Sequence, residues 1–164
     1  MKKVRTAPPA APMSKAELEK LAEFRYQLRR FLRFSEEATK SRGVTMLQYL
    51  LLLQVKGFPG RDHASVGELA ERLQAQQHGV VALVTRCEAA GLVARMPATH
   101  DRRRVDVRLT PRGEACLDEL ARLHRNELAT LAGRFTVPDM GPVAAPPMPT
   151  RRAARSATTR RRTT

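Results

Sequence analysis

Apolar residues recur three and four apart at Leu18, Leu21, Phe24, Leu28, Phe31 and Leu32, a spacing that lines one face of a helix. Ser14-Lys15-Ala16-Glu17 stands ahead of them as a capping box, in which a hydroxyl and a carboxylate satisfy orphan backbone N–H groups. A first helix of roughly 25 residues is therefore predicted, ending at Gly43. Thr45-Met46-Leu47-Gln48 caps a second helix through Tyr49, Leu50, Leu51, Leu52, Leu53 and Val55, closed by Gly57-Phe58-Pro59-Gly60. Apolar nearly all round, it belongs at the centre of a core. Ser65-Val66-Gly67-Glu68 opens a third, short helix with Val66, Leu69, Ala70 and Leu73 turned inward. After the polar turn Gln74-Ala75-Gln76-Gln77 comes a fourth, with Val80, Leu83, Val84 and Cys87 inward, ending before Gly91. Two short helices joined by a tight polar turn form a helix-turn-helix.

Downstream the period changes from that of a helix to that of a strand. Leu92 to Met96 and Val105 to Leu109 read as strands, the second alternating Val105, Val107 and Leu109 with Arg104, Asp106 and Arg108. The intervening Pro97-Ala98-Thr99-His100-Asp101-Arg102-Arg103-Arg104 is a loop dense in cations, and such a hairpin behind a helix-turn-helix is a wing. Thr110 then caps a last long helix with Pro111 at its first position, where the missing N–H costs nothing. Leu117, Leu120, Leu123, Leu128 and Leu131 carry that helix to about Phe135. The predicted fold class is mainly α with a small β-hairpin: a winged helix-turn-helix domain with long N- and C-terminal helices. No internal repeat is visible.

Composition adds charge to this picture. Thirty Lys and Arg oppose 16 Asp and Glu, a formal net charge of +14, which favours a polyanionic partner. Residues 1–13 and 141–164 contain nine basic and no acidic side chains and hold eight of the eleven prolines together with the stretch to 140. The expected organisation is a disordered basic segment at 1–13, one domain at 14–136, and a disordered Pro/Ala/Arg-rich tail at 137–164. The tail is either an arm for phosphates or a solubilising extension. No segment approaches the apolar length of a spanning helix and no apolar run follows the basic start, so the expectation is a cytoplasmic, unexported, DNA-associated bacterial protein without a membrane partner.

On the fourth helix, 100° steps place His78, Ala82, Thr85 and Ala89 opposite the apolar face, with Gln76 and Gln77 at the N-terminal end and Arg86 on the flank. Gln, His, Thr and Arg can hydrogen-bond base edges or phosphates, and the N-terminal end of such a helix enters the major groove. The bland alternative, a solvated helix face, loses weight because the charged hairpin follows so closely. In the wing, Arg103 is expected to enter the narrow minor groove, while Arg102 and Arg104 meet flanking phosphates. Cys87 and Cys116 lie on or beside apolar faces and read as inert filler. His63, His78, His100 and His124 lack metal-ligand spacing. No phosphate loop, paired carboxylate or nucleophile elbow occurs, so neither cofactor, metal nor enzymatic activity is expected.

Taken together, Val66-Gly67-Glu68-Leu69-Ala70-Glu71-Arg72-Leu73, Glu88-Ala89-Ala90-Gly91-Leu92-Val93 and Asp101-Arg102-Arg103 leading into Val107-Arg108-Leu109-Thr110-Pro111-Arg112-Gly113 resemble the MarR family of bacterial winged-helix transcription regulators, from about residue 20 to 132. The resemblance implies a homodimer built by the first and last helices, two lobes gripping double-stranded DNA at a pseudo-palindromic operator, and release by a small, often aromatic or phenolic, acid. It implies that Asp101 holds the Arg103 guanidinium. Leu18, Leu21, Leu28, Leu120, Leu128 and Leu131 are the expected dimer residues. Phe24, Arg25, Tyr26, Arg29 and His124 are candidates for an effector pocket, although aromatic residues at helical spacing also serve as core. Two departures stand out: many relatives carry Ser or Thr where Gly79 stands and Asp where Thr85 stands, and relatives usually add a terminal helix that Gly133, Pro138 and Gly141-Pro142 do not predict here. The expected function is a sequence-specific transcription regulator, most simply a repressor; the alternative is a weakly specific architectural protein that coats DNA with its basic tails.

Overall fold

The computed structural model of the chain describes residues 12–97, 105–133 and 137–139. Its elements are α1 (Lys15–Ser41), α2 (Met46–Lys56), β1 (His63–Ser65), α3 (Val66–Arg72), α4 (Gln77–Ala89), β2 (Val93–Pro97), β3 (Val105–Leu109) and α5 (Pro111–Leu131). All three predicted capping boxes close: Ser14 with Glu17, Thr45 with Gln48 and Ser65 with Glu68. The start of each of these helices is thus fixed by its own sequence.

The core forms where α2 meets the winged-helix elements. Leu51, Leu52 and Val55 of α2 are fully buried with Leu69 of α3, Val84 and Cys87 of α4, Val107 of β3 and Leu120 of α5. Helix α5 crosses the start of β2 so closely that a Cβ on Gly113 would lie 1.9 Å from the Leu92 carbonyl oxygen. Thr110 fastens this crossing, accepting from the Gly113 N–H at 3.0 Å and donating to the Gly91 carbonyl at 2.6 Å.

Beyond the predicted hairpin there is a third strand. β1 pairs antiparallel with β3, His63 opposite Arg108 and Ser65 opposite Asp106, giving the strand order β1-β3-β2. Three residues are too few to show alternation, and this strand exists through its partner. The last helix is shorter than expected: α5 ends at Leu131 and Gly133 takes φ +78°, while Phe135 lies outside the described residues.

Between α1, α2 and α5 the buried His124 ring stacks on Tyr49 at 4.4 Å and meets the edges of Phe31 and Phe34. Its Nδ1 lies 2.7 Å from the Leu120 carbonyl and its Nε2 2.5 Å from the Ser35 hydroxyl. A carbonyl can only accept, so Nδ1 carries a proton. His124 is a satisfied core histidine, enclosed by rings, in the core role that stood beside its candidacy for an effector pocket.

Candidate nucleic-acid interface

The turn between α3 and α4 is built by backbone geometry. Leu73 caps α3, Gln74 takes φ +50°, and the Ala75 N–H returns to the Ala70 carbonyl at 3.0 Å. The left-handed Gln74 is held by its own side chain, whose Nε2 donates to the Glu71 carbonyl at 2.6 Å. Arg61 and the Ser65 cap fix the front of α3: burial pushes the Glu68 carboxyl up, but the Ser65 N–H and hydroxyl and the Arg61 guanidinium outweigh it and hold the pKa at about 2.

Helix α4 has as its N-cap Gln76, which makes no side-chain cap hydrogen bond. Its first-turn N–H groups lack a side-chain acceptor at the cap, and the positive end of the helix dipole faces outward. Gln76, Gln77, His78, Val81, Ala82, Thr85, Arg86 and Ala89 are all exposed, whereas Val80, Leu83, Val84 and Cys87 are buried. The predicted partition of this helix is the observed one. Burial pushes the Cys87 thiol up to about 11, as an inert core thiol requires; Cys116, half-buried, is also raised, by burial first and then by Glu119.

Thr85 differs from expectation. Its hydroxyl donates to the Val81 carbonyl at 3.0 Å and accepts from Arg95 Nη2 at 2.9 Å. With its proton and an acceptor site so used, the hydroxyl is a poor candidate for the base-edge contact assigned to it. Arg95, on β2, also binds the Glu88 carboxylate through Nη1, and its backbone N–H reaches Glu88 Oε1 at 3.3 Å. Arg95 thereby ties the hairpin to α4. Thr85, which stands where many relatives carry Asp, thus shares Arg95 with the Glu88 carboxylate. Neither Arg95 nor Glu88 is recognisable from sequence, because they are brought together by the turn after α4 and not by any periodicity.

In the hairpin, Val93 pairs with Leu109 and Pro97 with Val105. Asp101, Arg102, Arg103 and Arg104 lie outside the described residues. At the hairpin's base His63 sits between two carboxylates, Nδ1 3.6 Å from Asp62 and Nε2 3.5 Å from Asp106. Although burial pushes the Asp62 carboxyl up, Arg108 and His63 bring it below its ordinary value. Together with the β1–β3 ladder, these charges anchor the strand that leads out of the wing.

The other predicted sets divide. Leu18, Leu21 and Leu128 are 48%, 39% and 49% exposed and Leu28 is half-buried. Leu120 and Leu131, at 0% and 3%, are buried within the chain itself, so they hold α5 from inside and do not offer free surface. Of the proposed pocket residues, Phe24 is half-buried beside a cleft of about 500 Å³ formed with Glu19, Lys20, Glu23 and residues 137–139. Arg29 lines a different cleft, with Leu32, Arg33, Glu36 and Glu37. Arg25 and Tyr26 are exposed, and Tyr26 lies under Arg30 at 6.0 Å. The five residues are not brought together. Among the described residues no group of three His, Cys, Asp or Glu side chains is placed to hold a metal, and no helix is long and apolar enough to cross a membrane.

Fold and site define a winged helix-turn-helix protein in which one face of α4 is exposed. Residues 42–104 match the MarR family model. The HTH-type transcriptional repressor MdtR of Bacillus subtilis strain 168 is 34% identical over 86 residues, covering 51% of this chain and 52% of that protein, so the chain spans about half the length of that curated relative. A MarR family protein from Bacillus stearothermophilus is 28% identical with a TM-score of 0.61, over 76% of this chain and 86% of the other. MepR of S. aureus, solved as a variant bound to an oligodeoxyribonucleotide, shares the fold at 18% identity and a TM-score of 0.57, over 76% and 86% of the two chains. The likeness to the MarR family thus rests on residues 42–104, which hold α2, the helix-turn-helix and β2.

Proposed function

We propose that the protein is a sequence-specific DNA-binding transcription regulator that acts as a repressor, in which two copies lay α4 into successive major grooves of a pseudo-palindromic operator. The observation that carries this reading is α4 itself: an uncapped N-terminus and an exposed face of Gln77, His78 and Arg86, held rigidly to a hairpin by Arg95. A helix end with free N–H groups suits a phosphate, and the side chains beyond it suit base edges. The basic excess of the chain supports the same partner. MdtR, the relative described as a repressor, supports the sign. MepR supports the use of this fold on DNA.

A homodimer follows from the spacing the reading requires. One lobe reads only a few base pairs, so specificity needs two lobes about 34–36 Å apart. On α1 the residues Leu18, Leu21, Arg25, Leu28 and Leu32 follow one another three and four apart, and Leu18, Leu21 and Leu32 are exposed. That stripe, with Leu128 of α5, is the surface we assign to the second copy. A small acidic effector belongs to the reading through the MarR resemblance alone.

Arg103→Ala tests the wing and Arg86→Ala tests α4. Each should weaken binding to a footprinted operator at fixed salt and leave the circular dichroism melt unchanged, and unchanged affinity in both would remove the site. The concentration of basic charge in 1–13 and 141–164 favours a second reading, an architectural coat on DNA. Deleting 141–164 separates them: a flatter dependence of log affinity on log salt, by about 0.9 for each phosphate no longer neutralised, with the operator preference intact assigns the tail to the phosphates and the preference to the domain. Loss of all binding favours the coat.

A further inference from the structure

Val81 is an exposed branched apolar residue at 44% exposure, on a helix whose other valines and leucine are buried. It packs nothing in the core. It lies about 40° around the helix from Thr85, at 100° per residue, and Ala82 is its exposed neighbour on the other side of Thr85. Thr85 commits its hydroxyl proton to the Val81 carbonyl and one lone pair to Arg95, so its methyl group and a single remaining acceptor site are what it offers a partner. The centre of the exposed face is therefore apolar, between Gln77 and His78 at one end and Arg86 on the flank. In the major groove the sole apolar mark on a base edge is the 5-methyl group of thymine.

We propose that Val81, with the methyl groups of Ala82 and Thr85, reads thymine 5-methyl groups in the operator half-site, and that Arg95 acts as a positioning residue by keeping the Thr85 hydroxyl turned away. The inference rests on α4 entering the major groove, as proposed above. An isolated exposed valine on a helix is ordinary; here it is joined by two further methyl-bearing positions and by a neighbouring hydroxyl already committed elsewhere. Hydrogen-bonding contacts to base edges then come from Gln77, His78 and Arg86, at the borders of the face.

The test uses the full chain and a duplex selected from a random pool. Each thymine of a half-site is replaced in turn by deoxyuridine, which removes the 5-methyl and leaves the Watson–Crick edge intact. At one or more positions affinity should fall about fourfold, the equivalent of ~0.8 kcal/mol for one buried methyl-sized group. Val81→Ala should lose most of that sensitivity at the same position. Val81→Thr, which keeps the branched shape, should bind the thymine duplex more weakly but the deoxyuridine duplex nearly as well as the unaltered protein. Tight selective binding with no deoxyuridine effect at any half-site thymine would overturn the inference and leave the DNA-binding reading standing, as would an undiminished effect in Val81→Ala. Failure to select any duplex would overturn both.

Discussion

Gly113 and Gly67 are both helical glycines, and their surroundings give them opposite roles. A Cβ at Gly113 would collide with the Leu92 backbone, whereas one at Gly67 would meet nothing within 4 Å. Gly113→Ala should therefore cost about 3 kcal/mol, since backbone cannot yield as a side chain can, and Gly67→Ala should gain ~0.5–1 kcal/mol from helix propensity. Urea unfolding of the two variants checks both signs. Sequence reasoning placed Gly113 in a family-like motif but could not say that a carbonyl crosses there. The same limit explains Thr85 and His124. Their positions on helix faces are periodic and legible, while the Arg95 donor and the ring stack on Tyr49 that decide their roles come from residues distant in sequence.

The elements were legible wherever their signals are local. Capping boxes, the Thr110-Pro111 start and the three-and-four spacing on α4 are written within a few residues each, and the structure realises them. Strand β1 was not, because three residues carry no period and its hydrogen bonds lie on β3. The front of α3 supplies a prediction of its own. Glu68 has its pKa depressed from 4.5 to about 2, so it stabilises the folded chain above about pH 4.5, and that contribution is lost as pH falls through about 2. Glu68→Gln keeps an acceptor for the cap but no charge. It should be less stable than the unaltered protein by about 1 kcal/mol at neutral pH, with the gap shrinking below about pH 4.5 and closing only below about pH 2; urea midpoints across that range read the difference, and a constant gap would remove the Ser65–Arg61–Glu68 cluster as its cause.

For the whole molecule the proposed reading requires a surface that would hold two lobes at operator spacing. The exposed Leu18, Leu21 and Leu128 are the surface assigned to the second copy, and Leu120 and Leu131 stiffen those helices from within. Leu128→Glu should give folded monomers that have lost operator binding but retain weak, salt-sensitive affinity for any duplex; sedimentation at micromolar concentration distinguishes this from an unaltered dimer. The central claim is that α4 reads sequence, and one titration tests it most directly. At a single fixed salt concentration, the affinity of the full chain for its selected operator is compared with that for a random duplex of equal length. The account predicts a ratio of about 10³ or more, the range of specific regulators. Tight binding to both with a ratio near one would contradict it.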